Sequence, residues 1–385
     1  TVLCWRSFDL PERNTMKKIQ ELQQVKGDAY DYYIAGNEDT DLFEKIFLVD
    51  DIVEEICKPD KYFLIGEKGS GKTAYSVYMS KSDKINSFCS ISLVENTLYQ
   101  RFLNMKRQKA LELSSFKDVW INLIYLILAE KIRKEYGETF FSSIKYKQLS
   151  KAIDVFYSDA FKPEFVNAFE FVDNASASIN SMMKQGLFST GTKASAETSQ
   201  KYVEQSFQIS LLKIRDGFEK AFMSVNLKKP TILFVDGIDA RPRDIDNEQY
   251  FECLVGLVNA VLEMNQSFLK EKQIKIMLLI RPDIMYKMPV HNMNQKLRNN
   301  SVLLNWVTSY RKYIDSKLFK IADDYFMKQQ DYSYELGECW NYYFPYKVEY
   351  QEKWKAPDNP FVEFLRYSLY KPRDILTMLN EMVDA

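Results

Sequence analysis

Short apolar runs bounded by glycine, proline or acidic residues alternate along this chain with longer stretches whose apolar positions recur every three to four residues. YFLI (Tyr62–Ile65), SFCSISL (Ser87–Leu93), TILFVD (Thr231–Asp236) and IKIMLLI (Ile274–Ile280) are short and predict strands. The last two carry no polar face and suit strands buried on both sides. SVLLNW (Ser301–Trp306) is a fifth candidate. Helical patterns cover Pro11–Val25, a segment starting at Lys72, and most of Leu98–Phe222. Within the last, Phe116–Tyr136 is strongly apolar and is preceded by Ser115, with Asp118 three residues on in a capping-box arrangement. Asn37–Thr40 reads as a turn opening a helix, and residues 307–385 read as helical and aromatic. ASASINSMMKQGLFSTGTKASAETSQ has no sustained apolar period and reads as a loop or linker.

Strands alternating with helices predict an α/β fold with a parallel sheet covered on both faces. The expected organisation is a lead-in and the start of the core over 1–97, a mainly helical insertion over 98–225, the rest of the core over 226–306 and a helical unit over 307–385. Ligands of such sheets bind at the carboxyl ends of the strands. The chemistry-bearing motifs of this sequence fall at those ends.

GEKGSGKT, comprising Gly66, Glu67, Lys68, Gly69, Ser70, Gly71, Lys72 and Thr73 and followed by Ala74, fits G-x-x-x-x-G-K-[ST] between a strand and a helix. Glycines let backbone N–H groups curl around phosphate oxygens, and the helix N-terminus adds unpaired donors and partial positive charge. Lys72 is expected to reach the β- and γ-phosphates of a nucleoside triphosphate, and the Thr73 hydroxyl to ligate Mg²⁺. In TILFVDGID, Asp236 ends a strand where a carboxylate can hold that Mg²⁺, and Asp239 is the candidate to orient or deprotonate an attacking water. Arg281 follows the IKIMLLI strand; it either faces the γ-phosphate or pairs with a neighbour such as Asp283. Arg373, in a PRD sequence opening the last helix, either leans onto the phosphates or makes a surface ion pair.

Composition narrows these readings. Lys plus Arg (52) nearly cancels Asp plus Glu (53), so no global field draws the chain to nucleic acid or anionic membrane. The clusters KRQK (Lys106–Lys109) and KIRKEY (Lys131–Tyr136) read as solvated helix faces. A single histidine, His291, excludes catalytic triads and multi-histidine metal sites. The five cysteines are scattered, odd in number and form no CxxC, which argues for a reducing, cytoplasmic setting. The most apolar long segment, Val119–Ala129, is too short to span a bilayer. Tyr (25) and Phe (26) are abundant and are expected to fill core. The chain starts without Met and stops at Ala385 on a helical pattern, so it is read as a piece of something longer.

On GEKGSGKT, FVDGID, LLIRPD and YKPRD the chain resembles the additional-strand class of P-loop ATPases, in the neighbourhood of AAA+, KAP and STAND proteins. FVDGID is similar to the Walker B motif of NACHT-type STAND proteins, and the terminal PRD resembles sensor 2 of KAP and origin-recognition-like ATPases. The resemblance implies sheet order 5-1-4-3-2, a helical lid carrying Arg373, ATP with Mg²⁺, and self-assembly or a protein effector partner. It also implies an ATP-dependent switch of the kind used in bacterial stress or anti-phage defence. No Glu follows Asp236 directly, which shifts water activation to Asp239 and implies slow hydrolysis. A nucleic-acid-stimulated ATPase and a small-molecule phosphotransferase are the alternatives.

Overall fold

Five short apolar strands hydrogen-bond into one parallel sheet: β1 (Phe63–Ile65), β2 (Phe88–Leu93), β3 (Thr231–Asp236), β4 (Ile274–Ile280) and β5 (Ser301–Leu303), in the order β2-β3-β4-β1-β5. The computed structural model describes residues 16–34, 41–94, 116–141, 146–159, 211–239, 247–288, 293–348 and 358–384. The Asn37–Thr40 turn, the Ser115 cap, the KRQK cluster, the small-polar segment over 175–200 and His291 lie outside these residues. Two units are distinguished, one comprising Asp51–Lys68 with Lys72–Leu304, the other Thr1–Asp50 with Gly69–Gly71 and Asn305–Ala385.

In the sheet-bearing unit every residue of β3 and β4 is buried, which is why neither strand shows a polar face in the sequence. Ile65 of β1 sits in register with Ile280 of β4, and Val235 of β3 with Leu278 of β4. That register makes Gly66, Asp236 and Arg281 leave the sheet at one edge. Among the flanking helices are α1 (Lys72–Lys81), α2 (Phe116–Phe141), α3 (Asn247–Gln266) and α4 (Pro282–Lys287). α2 is kinked at Gly137, which takes φ 74°, before it ends at Phe141.

Buried polar groups of this unit pair with backbone that helices and strands leave over. Asn265 of α3 accepts from Ile276 N (2.9 Å) and donates to Ile276 O (2.8 Å), stitching the helix to β4. Lys275 donates to the carbonyls of Ile56 and Lys58, closing the helix Asp51–Cys57 at its C-terminal end. The Trp120 indole of α2 donates to Cys253 O of α3 (3.1 Å). Close approach of these two helices depends on Gly256, where a Cβ would stand 2.6 Å from Phe116 Cβ and 3.0 Å from Lys117 N.

The other unit is helical and aromatic. α5 (Lys317–Met327), α6 (Pro360–Ser368) and α7 (Pro372–Asp384) surround edge-to-face rings, with Phe319 and Trp340 centroids 5.8 Å apart and Trp340 and Phe361 5.2 Å apart. Fully buried Asp323 accepts from Gly337 N (2.7 Å) and Trp340 N (2.8 Å), satisfying the start of the helix Glu338–Tyr343. One expectation fails here. In the described part of Pro11–Val25 only Ile19–Glu21 turns, as a 3₁₀ helix, and no α-helix forms there. The N–H groups of Lys17, Gln23 and Val25 pair instead with the side chains of Gln330, Gln329 and Asn380, so tertiary acceptors replace the i−4 carbonyls.

Gly256→Ala should destabilise the protein by about 1–3 kcal/mol, because the contacted atoms belong to backbone and a Cβ that cannot rotate away. Gly217→Ala, in the helix over 211–224 with nothing within 4 Å of the new methyl, should instead stabilise by about 0.5–1 kcal/mol. Chemical denaturation of the two variants checks the contrast.

Candidate functional site

β1 hands directly into the glycine-rich loop. Gly66 N donates to Ile280 O (3.2 Å), extending the ladder one residue past the strand, and Leu304 N donates to Ile65 O (2.8 Å) from the other side. Gly69 and Gly71 then take φ of 85° and 90°, a region that side-chain-bearing residues avoid. The turn this permits delivers Lys72 as the first residue of α1, where the leading N–H groups have no helical partner.

Lys72 is buried, with 7% of its surface exposed. Its Nζ donates to Gly66 O (2.8 Å) and Glu67 O (3.3 Å) and lies 3.8 Å from Asp239 Oδ2. Burial pushes its pKa down, opposed by the charges of Asp239 and Asp236. The neighbouring Thr73 Oγ1 donates to Asp236 Oδ2 at 2.6 Å. A hydroxyl and a carboxylate that are 163 positions apart in sequence thus present two oxygens side by side.

Asp236 is held by the turn it opens. Its Oδ1 accepts from Gly237 N (2.7 Å), and its carbonyl from Val94 N (2.8 Å). Gly237 has φ 84°, and a Cβ there would stand 3.0 Å from Val94 O. The Tyr250 hydroxyl donates to Ile238 O (2.6 Å), anchoring the same turn. Next comes Asp239, whose carboxyl is pushed up to about 6 by burial; Lys72 pulls it down, Asp236 raises it, and Arg281 and Asp283 act in opposite senses. Its Oδ1 is buried and accepts no hydrogen bond. Such an atom is costly to leave unsatisfied and is a mark of sites that take a ligand or water.

Arg281 is the N-cap residue of α4 and forks onto Asp283, with Nε 3.0 Å from Oδ1 and Nη2 2.8 Å from Oδ2. In this structure it adopts the neighbour pairing that its sequence leaves open, while its charge is still felt at Lys72 and Asp239. Glu67 and Lys68 are exposed, and Ala74 is half-buried in α1.

The loop tip Gly69–Gly71 groups with the helical unit. There Arg373 N donates to Gly69 O (3.3 Å), and its guanidinium packs on Gly69, with Nη2 3.2 Å from where a Cβ would be. The same guanidinium reaches Asp374 Oδ1 at 3.2 Å. The Trp306 indole donates to Ser70 O (2.9 Å), and the buried Ser70 hydroxyl has no hydrogen-bond partner. Val94, Tyr250 and Trp306 escaped sequence reasoning because their roles are contacts across long sequence separations, although Val94 adjoins the SFCSISL run and Trp306 closes SVLLNW.

Among the described residues no group of three or more His, Cys, Asp or Glu gathers in a metal-ligand cluster, and no helix is long and apolar enough to cross a membrane. Compared with protein-family models, with curated proteins and with solved structures, the chain matches none.

The sign of the Asp239 shift sets a pH dependence. The folded carboxyl keeps its proton to about pH 6, against 3.8 when unperturbed, so ionised Asp239 costs stability above about pH 6 and nothing below about pH 4. Stability of the ligand-free protein should contain a component that falls as pH rises through that window, and Asp239→Asn should remove it. Denaturation of both proteins at a series of pH values measures the difference. Replacing the opposing cation, Lys72→Met, should move the Asp239 pKa further up, as read by NMR of the carboxyl carbon.

Proposed function

We propose that this chain binds a nucleoside triphosphate, ATP, with Mg²⁺ and hydrolyses it slowly, using the bound state as a conformational or assembly switch. The observation that carries the reading is the 2.6 Å contact of Thr73 Oγ1 with Asp236 Oδ2 beside buried Lys72, at the edge where β1, β3 and β4 end. A phosphate-cradling loop needs a cation inside it and, for a metal–nucleotide, a hydroxyl and a carboxylate together. The strand order β2-β3-β4-β1-β5 is compatible with the layout expected from the resemblance.

Thr73 Oγ1 and Asp236 are hard oxygen donors that fit Mg²⁺, an ion usually held by one or two protein groups with phosphate and water supplying the rest. When bound, the ion neutralises charge developing on the transferred phosphoryl group. Lys72, now donating to two carbonyls of its own loop, would exchange them for the more strongly accepting phosphate oxygens. Asp239, with a free buried oxygen and a pKa near 6, is suited to accept the proton of a water attacking in line. Arg281 would turn from Asp283 to meet the γ-phosphate, and Arg373 belongs to the same reading as a lid contact. A lid that responds to the γ-phosphate changes the surface offered to a partner or a second copy.

Lys72→Ala should abolish MgATP binding by calorimetry, whereas Asp239→Asn should bind within a few-fold of the parent and lose phosphate release by about a hundredfold or more. Wild-type turnover should fall as pH drops through about 6, the Asp239 limb. Tight binding by Lys72→Ala, or unchanged turnover in Asp239→Asn, refutes the assignment. Phosphate release with and without DNA, and light scattering with and without nucleotide, separate a switch from a nucleic-acid motor.

A further inference from the structure

The indole of Trp306 and the first turn of α7 reach the same two peptide groups of the loop tip. Trp306 Nε1 donates to Ser70 O (2.9 Å), and Arg373 N donates to Gly69 O (3.3 Å). Each carbonyl shares a planar peptide with the N–H of the following residue, and no peptide bond among the described residues is cis. In a trans peptide C=O and N–H point in opposite directions, so pinning Ser70 O aims the Gly71 N–H away from the indole, and pinning Gly69 O does the same for the Ser70 N–H. Gly71 at φ 90° supplies no barrier of its own against rotation of that peptide. Its orientation therefore has to come from a partner outside the loop.

Trp306 is a suitable partner because its ring is half-buried against the aromatic core that includes Phe319, Trp340 and Phe361. Its N–H is thus carried on a rigid platform and is not a free surface group. Arg373 N belongs to the opening turn of α7, whose N–H groups lack helical acceptors and seek others. The Ser70 hydroxyl beside these contacts is buried to 2% exposure and unpartnered, so the loop tip already offers a donor with no acceptor within the protein.

We infer that Trp306 is a positioning residue for polyphosphate: its indole N–H sets the Ser70–Gly71 peptide so that the Gly71 N–H is presented to phosphate oxygen. The inference rests on the triphosphate reading above and adds to it a residue that orients the loop-tip peptide. It predicts that phosphate affinity responds to the indole N–H itself, independently of the nucleobase.

The test uses Trp306→Phe, which keeps a ring in the core and removes the N–H, with MgATP and magnesium pyrophosphate as separate titrants in calorimetry. Both ligands should bind about fivefold to tenfold more weakly than to the wild type, by the same factor, as expected for one lost hydrogen bond. The ligand-free variant should melt close to the wild type. Tryptophan emission should change on adding MgATP to the wild type, and this change should be largely lost in the variant although four other Trp remain. Wild-type affinity for both ligands in Trp306→Phe overturns the inference and leaves the triphosphate reading standing. A loss confined to MgATP also overturns it, pointing to base contact. A variant that melts well below the wild type and binds weakly, while Trp306→Tyr melts normally and binds as tightly as the wild type, assigns Trp306 to packing alone and overturns it too. A wild type that binds neither ligand ends the triphosphate reading itself.

Discussion

The hydrogen bond from Thr73 to Asp236 is the constraint on which the site turns, because it forces two strand ends and the head of a helix to be solved together. Three conditions meet in it. The sheet must place β1 and β3 on either side of β4, the strands must end level, and the loop between β1 and α1 must turn back tightly enough to bring Thr73 over the end of β3. Positive φ at Gly69 and Gly71 meets the last condition, and full burial of β3 and β4 the first two. The result is a place where a hydroxyl, a carboxylate and an ammonium lie within a few bond lengths of one another.

Desolvation gives that place its chemistry. Lys72 and Asp239 are both drawn toward neutrality by burial, and each is held toward its charged form by the other. Asp236 adds negative charge that favours the ammonium and disfavours ionisation of Asp239. Such a cluster is poorly balanced on its own, with a carboxylate oxygen that has no donor and a lysine that makes do with backbone carbonyls. A polyanion accompanied by a divalent cation would supply acceptors to the one and positive charge near the other.

The helical unit is assembled by a different device, stacked and edge-on aromatic rings with buried Asp323 satisfying a helix start. Its grouping with Gly69–Gly71 means that the loop's middle residues answer to the aromatic core, whereas Gly66, Lys72 and Thr73 answer to the sheet. Within that unit, Trp306 and Arg373 are the residues shown in contact with the loop tip.

Much of this was legible in the sequence. Predominantly apolar runs ending in Asp236 and Ile280 announced central strands, because a strand covered on both faces has no solvent-facing row of polar positions to show. GEKGSGKT announced its own turn, since the glycines that permit it are local. Local signals failed where partners are distant. Pro11–Val25 has a helical rhythm, yet its described part pairs with Gln329, Gln330 and Asn380 some 300 positions away. That Arg281 pairs with Asp283 and that Arg373 reaches Gly69 are outcomes of tertiary contact that no periodicity encodes. Sequence alone determined which residues could make a phosphate site, because residue chemistry and backbone freedom are local properties. Tertiary structure alone decided that Thr73 meets Asp236, that Asp239 is desolvated and that Trp306 grips the loop, because each depends on strand register and packing between segments far apart in the chain.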